Sequence, residues 1–227
     1  MLTILVPCYN EELVIENTVE ELLNWVSKQT FYIEIVFINN NSSDKTGEIL
    51  ARLSTKKEII VTNESIQGKG AAIKKGVLKS NFEKILILDA DLSADVSQAN
   101  NIDFLEDNFV VIGSRVLGTQ RNTPFSRFVL GTFFNFIIRQ LFKFNYLDTQ
   151  CGFKYISSSR VKHIFKNISS EGFLYDIDLI HQAKIFNLKI EEQPVDYNFN
   201  RNSSISLYKD FFTIVKDIYH LRKKYNN

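Results

Sequence analysis

From Leu2 to Asp91, short apolar runs alternate with longer stretches of helical period. Leu2–Val6 breaks at Pro7, and Glu12–Ser27 follows with Leu13, Val14, Val19, Leu22, Leu23 and Val26 close to a helical spacing. Ile33–Ile38 predicts a buried strand, Asn39–Ser43 a polar turn, and Asp44 the N-cap of a helix reaching Leu53. Glu58–Thr62 predicts a third strand, Gly70–Lys79 a third helix, and Lys84–Leu88 a fourth strand ending in Asp89-Ala90-Asp91. Apolar strands separated by helices imply an α/β fold with a mostly parallel central sheet and helices on both faces. Ligands of such sheets lie at the carboxyl ends of the strands.

The second half has a different texture. Phe109–Gly113 predicts a strand, Ser126–Phe142 a long aromatic helix and Cys151–Ile156 a short strand. Helices follow near Ser158–Phe165 and Tyr175–Phe186, then a late strand over Lys189–Tyr197 and a polar loop over Asn198–Ser204. Leu207–Tyr225 closes as an amphipathic helix with a basic end. With no repeat or linker, residues 1–227 read as a single catalytic domain. Its nucleotide-binding half would be 1–115, and its acceptor half 116–227.

Composition narrows the classes. A length of 227 residues with 44% hydrophobic positions supports a packed core rather than disorder. Basic and acidic residues number 27 and 26, which removes the charge argument for nucleic-acid binding. Two cysteines, Cys8 and Cys151, cannot build a disulfide framework and suit a reducing compartment. The first apolar run is too short for a secretory leader, and no run is long enough to span a bilayer. Phenylalanine occurs 19 times and concentrates in the aromatic helix, where Arg139 and Lys143 interrupt it. Such a helix can lie in a lipid headgroup region or against other protein.

Polar clusters carry the chemistry. Pro7-Cys8-Tyr9-Asn10-Glu11-Glu12, Asn39-Asn40-Asn41-Ser42-Ser43-Asp44 and Asp89-Ala90-Asp91 each follow an apolar strand, where an α/β sheet builds its crevice. Asp89 and Asp91 offer hard oxygens suited to Mg²⁺ or Mn²⁺, with diphosphate oxygens and water completing the shell. Gln67-Gly68-Lys69-Gly70 opens the third helix, whose first N–H groups are expected to be free for an anion. It is neither a P-loop nor a dinucleotide fingerprint. The three histidines lack ligand-like spacing, and no nucleophile elbow is present.

Taken in order, these pieces resemble family-2 glycosyltransferases of the GT-A fold, in the branch of polyprenyl-phosphate glucose and mannose synthases. Gly113-Ser114-Arg115, Asp148-Thr149-Gln150-Cys151-Gly152-Phe153-Lys154, Tyr175-Asp176-Ile177-Asp178-Leu179 and Glu192-Gln193-Pro194-Val195 extend the match across nearly the whole chain. The resemblance implies that Pro7, Tyr9, Glu11, Ile38, Asn40 and Lys69 bind the nucleotide sugar together with Asp89, Ala90 and Asp91. It implies a metal at Asp89, Asp91 and Ser93, and an acceptor phosphate at Arg115, Arg127 and Arg201. Asp148, Asp91 and Arg115 are the implied catalytic residues. Asn39-Asn40 departs from the usual Asp-Asp, which leaves the nucleobase open.

The implied activity is an inverting, metal-dependent transfer of a hexose from a UDP- or GDP-sugar to a polyprenyl (dolichyl-type) phosphate. An anionic acceptor needs no general base, whereas a hydroxyl acceptor needs a carboxylate, Asp148 first and Asp176 second. Transfer to a hydroxyl of a surface polysaccharide or glycolipid is therefore the alternative, and a nucleotide-binding protein without transferase activity a third reading. The expected setting is cytoplasmic and peripheral on a membrane surface, without nucleic acid, and a homo-oligomer is left open.

Overall fold

The computed structural model describes residues 1–199 and 207–225, with side chains throughout except at 207–213. Arg201, most of the expected loop at Asn198–Ser204, and the side chains of Phe211 and Phe212 lie outside the described residues. The strands are β1 (Leu2–Cys8), β2 (Ile33–Asn39), β3 (Ile59–Asn63), β4 (Lys84–Ile87), β5 (Phe109–Ser114), β6 (Gln120–Arg121), β7 (Lys154–Ser157), β8 (Lys189–Pro194) and β9 (Tyr197–Asn198). The α-helices are α1 (Ile15–Val26), α2 (Thr46–Leu53), α3 (Lys69–Lys79), α4 (Phe125–Phe142), α5 (Val161–Asn167), α6 (Tyr175–Ile185) and α7 (Leu207–Tyr225), with a 3₁₀ turn at Val96–Asn101.

Seven strands form one sheet in the order β3-β2-β1-β4-β7-β5-β8, and β6 pairs with β9 apart from it. Pairing is parallel except at β7, which runs antiparallel between β4 and β5. Alternate strand residues divide the core. Leu5, Val36 and Ile38 face a cluster shared with α3, α5 and α6, while Ile4, Val6, Ile35 and Phe37 face one shared with α1, α2 and the 3₁₀ turn. Both faces are thus covered, which is why the strand sequences are apolar without a period of two.

Element boundaries shift for local reasons. The first helix begins at Ile15 rather than Glu12, because Glu12 accepts from the Lys45 N–H (2.9 Å) and gives its own N–H to Asp44 (3.1 Å). Asp44 stands one residue ahead of the cap position of α2 and also accepts from the Thr46 N–H at 3.0 Å. The short strand starts at Lys154 instead of Cys151, and the late strand ends at Pro194, with Tyr197–Asn198 departing to pair with β6. The phenylalanines divide. Phe37, Phe109, Phe142, Phe144, Phe153 and Phe165 are core, whereas Phe125, Phe128, Phe133 and Phe136 on α4 are exposed.

Candidate active site

At the end of β4 the chain turns through Asp89, Ala90 and Asp91, and Leu92 adopts a left-handed φ of +45°. Such a conformation costs a branched residue about 1–3 kcal/mol and persists only where the surroundings impose it. The turn brings the Ser93 N–H onto Asp91 Oδ1 at 3.0 Å, and Ser93 Oγ is buried with no hydrogen-bond partner among the described residues. Ala90 turns its methyl into the core and its carbonyl accepts from Thr18 Oγ1, so the expected ligand contact cannot come from its side chain.

Lys69, the first residue of α3, places its ammonium on Asp89 Oδ1. Burial pushes the Asp89 carboxyl up, but Lys69, Lys154 and Arg115 together outweigh it and the group is held low. Asp91 is pushed up by burial and then by the like charge of Asp89. Glu11 is pushed up to about 8, by burial first and then by Asp91, Asp89 and Asp44. Three carboxylates thus repel one another across the ends of the neighbouring strands β1 and β4, an environment that favours a cation. No group of three or more His, Cys, Asp or Glu side chains suited to a metal occurs among the described residues. Asp89 and Asp91 would supply two ligands and leave the other positions open to phosphate oxygens and water.

The glycines around Lys69 do not present an anion site. Gly70 N–H donates to Gly172 O at 3.1 Å and Ala71 N–H to Glu171 O at 3.0 Å, so these two of the expected free donors are consumed within the fold. A Cβ at Gly68 would lie 2.2 Å from Glu171 O, and one at Gly70 2.4 Å from Ser170 O. The glycines let the segment 170–172 dock on α3, and that segment leads into α6 with Tyr175 and Asp176.

On the other side of the strand end, Arg115 clamps Asp148. Its Nε and Nη2 donate to Oδ2 and Oδ1 at 2.7 and 3.0 Å, and its backbone N–H donates to Oδ2 at 3.0 Å. The Asp148 side chain is only 2% exposed; burial pushes its carboxyl up, but Arg115 together with Lys154 more than offsets that and holds it below the usual range. The loop is fixed from behind, because Glu192 Oε1 accepts from Leu147 and Asp148 N–H at 2.7 and 3.0 Å. Asn135 of α4 adds a donor to Leu147 O and an acceptor for Thr149. Gly152 then passes so close to Asp89 that a Cβ there would lie 1.9 Å from Oδ2.

These groups share a cavity of about 220 Å³. Lys69, Asp89, Arg115, Asp148, Gly152 and Asp176 line it, together with Arg127, Phe128, Phe134, Phe173 and Phe199. Arg127 lies over the Phe199 ring at 4.7 Å. Tyr9 and Glu11 follow β1 directly, and Glu11 feels the charge of Asp91. Two expected ligand residues are placed differently. Ile38 is wholly buried against α3, where Gly76 makes room for it. Asn40 spends its amide on Glu64 O and Ile66 O and its carbonyl on Gly68 N–H, so it braces the loop beside the site rather than offering a base-reading edge. Sequence reasoning assigned nothing to Lys154, which proves to be buried beneath Asp176. A lysine inside Phe153-Lys154-Tyr155-Ile156 is the signal that could have found it.

Comparison with known proteins follows this geometry. Dolichyl-phosphate beta-glucosyltransferase of Mus musculus is 26% identical over 99% of this chain and 75% of its own. A dolichyl-phosphate beta-glucosyltransferase of Trichomonas vaginalis is 31% identical over 87% of this chain and 65% of its own. Glucosyl-3-phosphoglycerate synthase of Mycobacterium tuberculosis, solved with Mn²⁺, UDP-glucose and phosphoglyceric acid, superposes with a TM-score of 0.70 at 16% identity, covering 98% of this chain and 79% of that one. The model of glycosyl transferase family 2 matches residues 3–165. The chain therefore belongs to glycosyl transferase family 2 and is a glycosyltransferase of the GT-A fold.

Proposed function

We propose that the protein transfers glucose, with inversion, from UDP-glucose to a polyprenyl phosphate of the dolichyl type at a membrane surface. The observation that carries this is the Arg115 clamp on Asp148. A buried carboxylate that accepts three donors from one arginine is a poor proton acceptor, and a phosphate acceptor needs none. The relatives named as dolichyl-phosphate glucosyltransferases support the acceptor, and the UDP-glucose complex of the similar fold supports the donor.

The residues divide the work. Asp89 and Asp91 would hold Mg²⁺ or Mn²⁺, which when bound supplies Lewis-acid stabilisation to the departing diphosphate. Lys69 adds positive charge on the donor side, and Arg115 faces the cavity with its guanidinium anchored, so neither must reorganise as charge develops. Arg115 and Arg127 line the same cavity as Phe128, Phe134, Phe173 and Phe199, a fit for a phosphate with an apolar tail. Tyr9, Pro7 and Glu11 line the nucleoside side.

α4 supports the membrane setting. Phe125, Phe133 and Phe136 are 80, 60 and 54% exposed, with Phe128, Val129 and Leu130 beside them. The stretch 108–147 holds five basic residues (Arg115, Arg121, Arg127, Arg139 and Lys143) and no acidic one. Exposed aromatics within a cationic stretch suit the interface of an anionic bilayer. No helix among the described residues is long and apolar enough to cross a membrane. Cys8 and Cys151 are free thiols, in keeping with a cytoplasmic face.

Transfer to a hydroxyl is the second reading, favoured by Asp176, whose carboxyl is pushed up by burial despite Lys154 and Lys69. The deciding assay supplies UDP-glucose and GDP-mannose with Mn²⁺ or Mg²⁺ to polyprenyl phosphate, polyprenol and glycolipid acceptors. Glucosylation of polyprenyl phosphate alone is expected. Transfer to hydroxyl acceptors that is abolished in Asp176→Asn would overturn the phosphate assignment.

A further inference from the structure

β7 enters the sheet antiparallel between the two strands that deliver Asp89 and Arg115, and Lys154 pairs in register with Ile87 of one and Ile112 of the other. Its side chain is 1% exposed. A buried ammonium needs compensation, and Lys154 finds it in two places: it donates to Cys151 O, and its Nζ lies 2.8 Å from Asp176 Oδ1. The Tyr175 ring, 5.9 Å away, covers a third side.

Asp176 is itself almost buried, at 5% side-chain exposure, yet it lines the cavity beside Asp89 and Lys69. Its Oδ1 is shut away from the cavity against the Lys154 ammonium, which leaves Oδ2 as the oxygen on the cavity side, and no hydrogen bond from the described residues reaches Oδ2. A carboxylate oxygen held without a donor in so enclosed a place is costly unless a ligand supplies one. The donor wall of the cavity is where the sugar ring must sit, and a hexose offers hydroxyl donors.

We propose that Lys154 is a positioning residue for glycosyl transfer, acting through Asp176: the buried ammonium fixes that carboxylate on the donor wall, where its oxygen accepts from a hydroxyl of the transferred hexose. The ion pair supplies direction. Asp176 sits in the first turn of α6 and Lys154 on the sheet beneath, so their contact locks the helix start against the strands that carry the rest of the site. This inference rests on the transferase reading of the cavity and not on which acceptor receives the sugar.

The test uses the full chain with UDP-glucose and a set of its monodeoxy analogues, reading donor turnover, including hydrolysis to water, and donor affinity by calorimetry. Wild type is expected to lose about 10-fold or more on one deoxy analogue, the one lacking the contacted hydroxyl. Asp176→Asn and Lys154→Met are each expected to lower kcat about 10–100-fold with KM for UDP-glucose within about threefold, and to erase that discrimination. Lys154→Met alone strands a buried carboxylate, so the Lys154→Met/Asp176→Asn pair, which removes both charges, is measured against Asp176→Asn. Acting through Asp176, Lys154 adds no more than about threefold to the loss in that background. Additive losses, or deoxy discrimination that survives in Asp176→Asn, overturn the proposal. If wild type turns over no donor, equal affinity for UDP-glucose and every deoxy analogue overturns it. Donor hydrolysis without transfer to polyprenyl phosphate counts against the acceptor reading alone.

Discussion

Gly152→Ala isolates one methyl group at the centre of the site. The new Cβ would stand 1.9 Å from Asp89 Oδ2, 2.4 Å from its Cγ and 2.8 Å from Oδ1, with no backbone atom among these nearest neighbours. Ordinary contact begins near 3.4 Å, so the Asp89 carboxylate must swing away by about 1.5 Å, and a misplacement of even 1 Å costs roughly 10²-fold in rate. That is about 2.7 kcal/mol of transition-state stabilisation. The fold has little reason to fail, because the end of a short side chain yields rather than a strand. The assay measures nucleoside diphosphate release from the sugar nucleotide with Mn²⁺, Mn²⁺ affinity by electron paramagnetic resonance, and the melting temperature. Expected are a loss near 100-fold in kcat/KM, weakened Mn²⁺ binding and a melting temperature within a few degrees of wild type. Activity and Mn²⁺ affinity within threefold of wild type would refute the placement of Asp89 as the metal and diphosphate anchor.

Four further outcomes follow from the same geometry. Arg115→Met leaves the buried Asp148 carboxylate unpaired and is expected to cost about 3 kcal/mol of stability, most of it recovered by adding Asp148→Asn, as denaturant titration would show. Because the Asp148 carboxyl is held low in the fold, its stabilisation is complete above the unfolded value near about 4 and is lost as pH falls through the folded value. The melting-temperature gap between wild type and Asp148→Asn is therefore expected to stay constant from pH 7 to about 5 and to close below about 4. Glu11 has the opposite sign: its folded value near 8 lies above the unfolded value of about 4.3, so rising pH favours the unfolded chain across that interval. Metal-free protein is expected to lose stability from pH 5 to 8, and Glu11→Gln or added Mn²⁺ to flatten the slope. On α4, Phe125→Ser with Phe133→Ser is expected to weaken flotation with anionic vesicles while leaving the melting temperature unchanged, since both rings are exposed.

Local pattern and tertiary packing contributed different things. Strand and helix order from Leu2 to Ile87 could be read from the sequence, because strands buried on both faces must be apolar throughout and their helices must carry one apolar stripe. So could Asp89 and Asp91, because a polar cluster directly after such a strand has one place to be. The Gly68-Lys69-Gly70 motif was visible but its use was not: whether a backbone N–H meets a phosphate or the carbonyl of Glu171 depends on a segment about a hundred residues away.

The sequence alone determined the class of sheet, the family, and the strand end at which Asp89 and Asp91 stand. Tertiary structure alone decided that β7 enters antiparallel, that Arg115 closes on Asp148, that Asn40 braces a loop, and that Lys154 lies under Asp176. It also sorted the phenylalanines into a buried set and an exposed stripe on α4. The physical reason is range. Periodicity and capping act within a few residues along the chain, whereas ion pairs and close approaches depend on where distant segments are brought together.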